Sequence, residues 1–112
     1  MSISLNNEAV KQAERLIKAG EVETFDSDWN EEQPTPDEIE HFIENHFIRE
    51  YGMWFLGKNS QYPDTVKEHY EYPYGDLEEV QQSALAHTIK HAEKNGDHTI
   101  ARIAKDLLAM IK

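Results

Sequence analysis

Apolar residues recur at helical spacing in four stretches of this chain and alternate in one. Near the N-terminus, Val10, Ala13, Leu16 and Ile17 form a narrow apolar stripe, with Lys11, Glu14, Arg15 and Lys18 facing water. The stripe predicts a helix capped by Asn6 or Asn7 and running to Ala19, with Gly20 free to take the positive φ that ends it. A second helix has the clearest start: Thr35 caps it, Pro36 fits its first position, and Glu38 completes a capping box. Ile39, Phe42, Ile43, His46 and Phe47 then follow one helical face, and Gly52 ends it. On that face His46 reads as a core histidine with one hydrogen-bonded nitrogen, whereas His41 reads as solvated.

Two more helices close the chain. Asp76, with Glu79 three positions on, caps a third helix to about Lys94, carrying Val80, Ala84, Leu85, Thr88, Ile89 and Ala92 on one face. Asn95-Gly96 stops it, and Asp97 or Thr99 starts a fourth helix with Ile100, Ile103, Ala104, Leu107 and Ile111. So short a loop predicts an αα-hairpin. Between helices two and three, HYEYPY alternates with Tyr70, Tyr72 and Tyr74 on one side, and Pro73 restricts that strand to an edge. It pairs with Met53–Leu56 as a small antiparallel element. The connection over 57–68 contains the turn Tyr62-Pro63-Asp64-Thr65, and Asp64 caps a single helical turn over 65–68. The stretch EVETFDSDWNEEQPTP has no period and reads as an extended connector pinned by Phe25 and Trp29. The expectation is one domain over residues 1–112. It is mainly α (α+β), with four helices, a C-terminal hairpin and a two-stranded β element between helices two and three.

Composition narrows the function classes. The formal charge is −11, and residues 21–50 hold eleven acids against Arg49 alone. Phosphate backbones are bound by Lys and Arg displacing counterions, so direct nucleic-acid binding is not expected. The acidic stretch reads as a solvated face, as a docking surface for a basic partner, or as a mimic of nucleic acid. Without cysteines there is no disulfide, thiolate metal site or cysteine nucleophile. No apolar run is long enough to cross a bilayer, and the N-terminus lacks a secretory pattern, so a cytoplasmic protein is expected.

Seven of the eleven aromatic residues lie in 51–76, beside three of the five glycines. Most are expected to fill the core, and those left exposed would take a protein partner. Trp54, Tyr62, His69, Tyr70, Tyr72 and Tyr74 are the candidate binding residues. With Asp64 and Asp76, the histidine and tyrosines of this stretch also suggest acid–base chemistry, although no nucleophile, base and orienting group can be traced. His87 and His91 project from one helical face and could share a metal if His98 folds back to join them. No H-E-x-x-H pattern, phosphate loop or nucleophile elbow is present, and no cofactor is expected. A non-catalytic interaction module is the leading reading, with helices three and four offering a face for self-association.

The runs EYG-x-W-x-LG (Glu50 to Gly57) and DT-x-K-x-x-Y-x-YPYGD (Asp64 to Asp76) resemble a family of small uncharacterised bacterial proteins. The resemblance covers about Ala9 to Ile111, with Val66 inserted before the lysine and Tyr72 in place of a phenylalanine. It implies no activity. The family's H-R-C-G segment reads Gln81, Gln82, Ser83, Ala84 here, so no role for a histidine or cysteine carries over.

Overall fold

The computed structural model describes residues 3–24 and 28–111, so Phe25 lies outside the described residues. In chain order the elements are β1 (Ile3–Leu5), α1 (Asn7–Lys18), β2 (Val22–Glu23), α2 (Trp29–Glu32), α3 (Pro36–Asn45) and α4 (Ile48–Gly52). They continue with β3 (Phe55–Asn59), a 3-10 turn over Lys67–His69, β4 (Tyr70–Pro73), β5 (Val80–Gln81), α5 (Gln82–Asn95) and α6 (His98–Ile111). The α+β class is as expected. Six α-helices stand among the described residues instead of four.

An antiparallel pairing forms as expected, but its first strand lies at Phe55–Asn59 and not at Met53–Leu56, with Phe55 opposite Pro73 and Lys58 opposite Tyr70. β1 extends it to a three-stranded sheet by pairing with the other edge of β3, Ile3 opposite Asn59. A second, parallel pair joins β2 to β5. The αα-hairpin of α5 and α6 covers the sheet, with α1 packed on both α6 and β3. The core between these layers buries Leu56, Tyr74, Val80, Leu85, Ile100 and Leu107. Each such side chain stabilises the fold by about 1.5–3 kcal/mol through lost apolar exposure.

Asn6 shows how local sequence builds tertiary structure. Its side chain caps α1 by accepting from the Ala9 N–H, and its amide donates to the carbonyls of Gly52 (3.0 Å) and Phe55 (3.1 Å). One buried residue thus ties the start of α1 to the end of α4 and to β3.

The second predicted helix is broken. The capping box of Thr35 and Glu38 forms in full, but α3 stops at Asn45, and Phe47 takes φ 123° and ψ 151° before α4 begins. No proline or glycine marks this break. Tertiary packing overrides the periodicity: α3 buries no residue completely, whereas the turn at Phe47 lets α4 bury Tyr51 and Gly52. The same turn puts His46 outside, 50% exposed, with Nδ1 donating to Glu50 and its ring stacked on Phe42. His46 is therefore not a core histidine.

The third predicted helix starts five residues late, at Gln82. Asp76 does accept from the N–H groups of Glu78 and Glu79, as a cap should. Leu77, however, takes φ 74°, and the Val80 N–H goes to the Glu21 carbonyl, so the chain makes β5 before α5 starts. Asp64 is likewise no helix cap: the 3-10 turn is preceded by Val66 and has no side-chain cap.

Candidate functional site

Three concavities adjoin one another through shared lining residues. An aromatic groove of about 310 Å³ runs between α3, β4 and α5. Trp29, Ile39, Tyr51 and Phe55 line it together with Tyr70 and Tyr72 of β4 and with His87 and His91 of α5. Leu77 and Pro34 line this groove and also a neighbouring hollow of about 510 Å³ that contains Asp37, Glu38, Asp76 and Glu78. On its other side, Tyr70 is shared with a polar cleft of about 570 Å³.

Each groove residue is held for a physical reason. Tyr51 packs on Phe55 at 4.7 Å and meets Tyr70 edge-on at 6.2 Å. Tyr70 lies so close over Gly52 that a β-carbon there would collide with its ring, which explains the glycine after Tyr51. Trp29 is buried, as its pinning role requires. Tyr72 is only 3% exposed; its hydroxyl donates to an Asp97 carboxylate oxygen and accepts from Asn95 Nδ2 at 3.1 Å. These bonds fasten β4 to the α5–α6 turn. Thr88 adds a second fastening by donating to the Pro73 carbonyl at 2.6 Å.

Electrostatics keep the groove's phenols neutral. Burial, reinforced by the negative charge of Glu68, pushes Tyr51 up to about 12. Tyr72 is pushed up to about 12 by burial first and then by the carboxylate of Asp97. Burial also raises Tyr70, with the Asp64 charge adding to the rise and Arg49 opposing it.

The backbone supplies the most informative feature. Among the described residues three non-glycine positions have positive φ: Phe47 (123°), Tyr72 (69°) and Leu77 (74°). Left-handed backbone costs a bulky side chain about 1–2 kcal/mol. Tyr72 and Leu77 both line the groove.

The candidate residues read from sequence separate into distinct places. Trp54 and Tyr74 are core, 8% and 0% exposed, with rings stacked at 5.4 Å. The Tyr74 hydroxyl donates to the Met53 carbonyl and accepts from Gln12 Nε2. Tyr62, His69 and Tyr70 gather with Asp64 in the polar cleft. There the Tyr70 hydroxyl donates to the Asp64 backbone carbonyl at 2.9 Å. His69 Nδ1 lies 2.8 Å from the Tyr62 carbonyl, which can only accept, so this nitrogen carries the hydrogen. Asp76 points elsewhere, bonded to its own turn and to Gln81. The suggested Tyr–Asp–His group is thus only half assembled.

The histidines of α5 behave as spacing predicts, with His87 and His91 rings 6.0 Å apart and His91 edge-on to Tyr72 at 5.4 Å. His98 is the first residue of α6. Among the described residues no three His, Asp or Glu side chains converge to hold a metal. None of those residues forms a helix long and apolar enough to cross a membrane.

Several groove residues carried no sequence signal. Tyr51 and Phe55 belonged to an aromatic-rich stretch, but nothing singled them out. Leu77 lay hidden behind the Asp76 cap, because a left-handed leucine has no compositional mark. No model of a known protein family matches the chain, and no curated protein or solved structure is significantly similar to it.

Proposed function

We propose that this protein is a non-catalytic interaction module whose groove receives an apolar side chain from a partner protein. The adjoining acidic hollow then receives a lysine or arginine of the same segment. The observation that carries this reading is the left-handed backbone of Tyr72 and Leu77, both groove residues. Strain of this kind concentrates where side chains are held for recognition. The groove's volume falls at the lower end of ligand-binding pockets, enough for one or two side chains.

Charge supports the partner's chemistry. Residues 28–45 contain no lysine or arginine, and Leu77 and Pro34 stand directly between groove and hollow. Many acids nearby have local duties: Asp28 caps α2, Glu38 closes the capping box and Glu40 pairs with Lys67 at 2.9 Å. Asp37 and Glu78 remain on the hollow's wall, beside Asp76, which also caps its own turn.

Selection from a random peptide library tests this. Enriched peptides should carry a large apolar residue beside Lys or Arg, and affinity should fall as salt rises. Leu77→Asn keeps a residue that tolerates positive φ but removes the apolar wall. It should weaken those peptides by about tenfold while leaving the fold intact. Unchanged affinity in Leu77→Asn would remove the groove from consideration.

A further inference from the structure

The polar cleft beside the groove has chemistry that the interaction reading does not use. It is lined by the start of α1, by α4, by the end of β3 and by the loop that follows. Two of the chain's eleven basic residues, Arg49 and Lys58, line it. Neither forms an ion pair among the described residues, although Lys67 and Lys105 each do. Among the described lysines and arginines only Lys67 and Lys105 form ion pairs, so what distinguishes Arg49 and Lys58 is that they share one cleft. Glu8 and Asp64 also line the cleft, yet neither forms an ion pair with Arg49 or Lys58. Arg49 and Asp64 act on the Tyr70 hydroxyl with opposite sign, which sets both near the ridge shared with the groove.

These groups select by charge. A guanidinium and an ammonium beside hydroxyls of Tyr62 and Thr65 suit a carboxylate, which a guanidinium binds through two parallel hydrogen bonds. Two acids in the same cleft cancel its two cations, which leaves the field of a chain of net charge −11 to repel a doubly charged phosphate more than a single carboxylate. Among the described residues Tyr70 alone lines both cleft and groove. A chain whose apolar side chain fills the groove can therefore place its next groups over Tyr70 and into the cleft.

We propose that the polar cleft is a carboxylate-binding site, with Arg49 and Lys58 as its cationic contacts, and that it receives the C-terminal carboxylate of the segment docked in the groove. The first part stands on the cleft alone; the second rests on the interaction reading. The partner segment is then a chain terminus in the order basic residue, apolar residue, free carboxylate.

Sodium acetate tests the site without any partner. In ¹H–¹⁵N spectra of the full chain, acetate titrated at constant ionic strength against sodium chloride should give saturable shifts at the amides of Lys58, Tyr62, Asp64 and Thr65 and at Arg49 Nε–H. Arg49→Ala and Lys58→Ala should each weaken the response by about tenfold, and Arg49→Lys should restore part of it. Inorganic phosphate should bind more weakly than acetate. Leu77→Asn, the groove variant, should leave the acetate response unchanged, so failure of the groove and failure of the cleft are separable. Shifts that chloride reproduces, or that survive both alanine variants, overturn the site. Tight phosphate binding overturns its assignment to a carboxylate. For the terminus, groove-selected peptides made as free acid and as C-terminal amide are compared. The acid should bind at least about fivefold more tightly, through a charge-assisted hydrogen bond the amide lacks. Equal affinity overturns the terminal assignment.

Discussion

Apart from the turn at Phe47, left-handed backbone occurs in two kinds of place among the described residues. At Gly20 (φ 80°) and Gly96 (φ 79°) it ends α1 and α5, and a β-carbon built on either glycine would meet nothing within 4 Å. At Tyr72 and Leu77 the same region of backbone is occupied by large side chains on the walls of a groove. The helix ends use the residue that adopts this conformation freely. The groove uses residues that resist it. The contrast teaches that φ alone is not the constraint at the groove: the side chains there must be worth their strain, through packing or through binding.

Tyr72 and Leu77 should divide between those two explanations, and the largest effect falls on Tyr72. Tyr72→Gly relieves the backbone but removes a buried ring bonded to the α5–α6 turn, so it should cost about 3–5 kcal/mol in denaturant unfolding. Tyr72→Phe keeps the ring and loses only the bonds with Asp97 and Asn95, for about 1–2 kcal/mol. If Tyr72→Gly proves as mild as Tyr72→Phe, packing is not what holds that strain.

Alkaline pH gives an independent reading of the same contacts. Tyr51 and Tyr72 lose their protons near 12 when folded, against 10.0 for an ordinary phenol. Tyr74 is shifted in the same direction by burial. Between those values the folded chain holds more protons than the unfolded one, so stability falls as pH rises. This stability is fully present below about pH 10 and should be lost progressively toward pH 12. Melting temperatures followed from pH 8 upward should show the decline, and Tyr72→Phe should make it shallower. A flat profile through pH 11 would place these hydroxyls in water.

Smaller effects belong to the helix ends. Gly20→Ala and Gly96→Ala should each cost about 1 kcal/mol from backbone strain alone, since space is open at both. Neither should change peptide affinity. A loss of binding in either would spread the recognition surface beyond the groove.

Much of this architecture was legible in the chain because it depends on local signals. The Asn6 cap, the Gly20 end, the Thr35–Glu38 box and the Asn95-Gly96 turn each act over a few residues, and each forms. The alternation around Tyr72 correctly marks β4. Long-range and strained features were not legible. β1 has only three residues and depends on Asn59, Lys58 and Gly57 far along the chain. Phe47 sits in an unbroken amphipathic pattern yet is 76% exposed, because α4 turns inward to bury Tyr51. The site followed the same division. Tyr70 and Tyr72 stood out as aromatic residues in an alternating strand, whereas Arg49, Lys58 and Leu77 acquire meaning only from what the fold sets beside them.

On this reading Leu77, half-buried against the core, is held in its strained conformation for the apolar wall it presents to a partner. Equilibrium unfolding of Leu77→Gly, read beside its affinity for groove-selected peptides, tests this most directly. Relief of left-handed strain should offset the lost side-chain contact and the added freedom of the unfolded chain, leaving stability within about 1 kcal/mol of wild type. Peptide affinity should nevertheless fall by about tenfold. A stability loss of about 3 kcal/mol with binding retained, as expected for an ordinary core leucine, would contradict the claim.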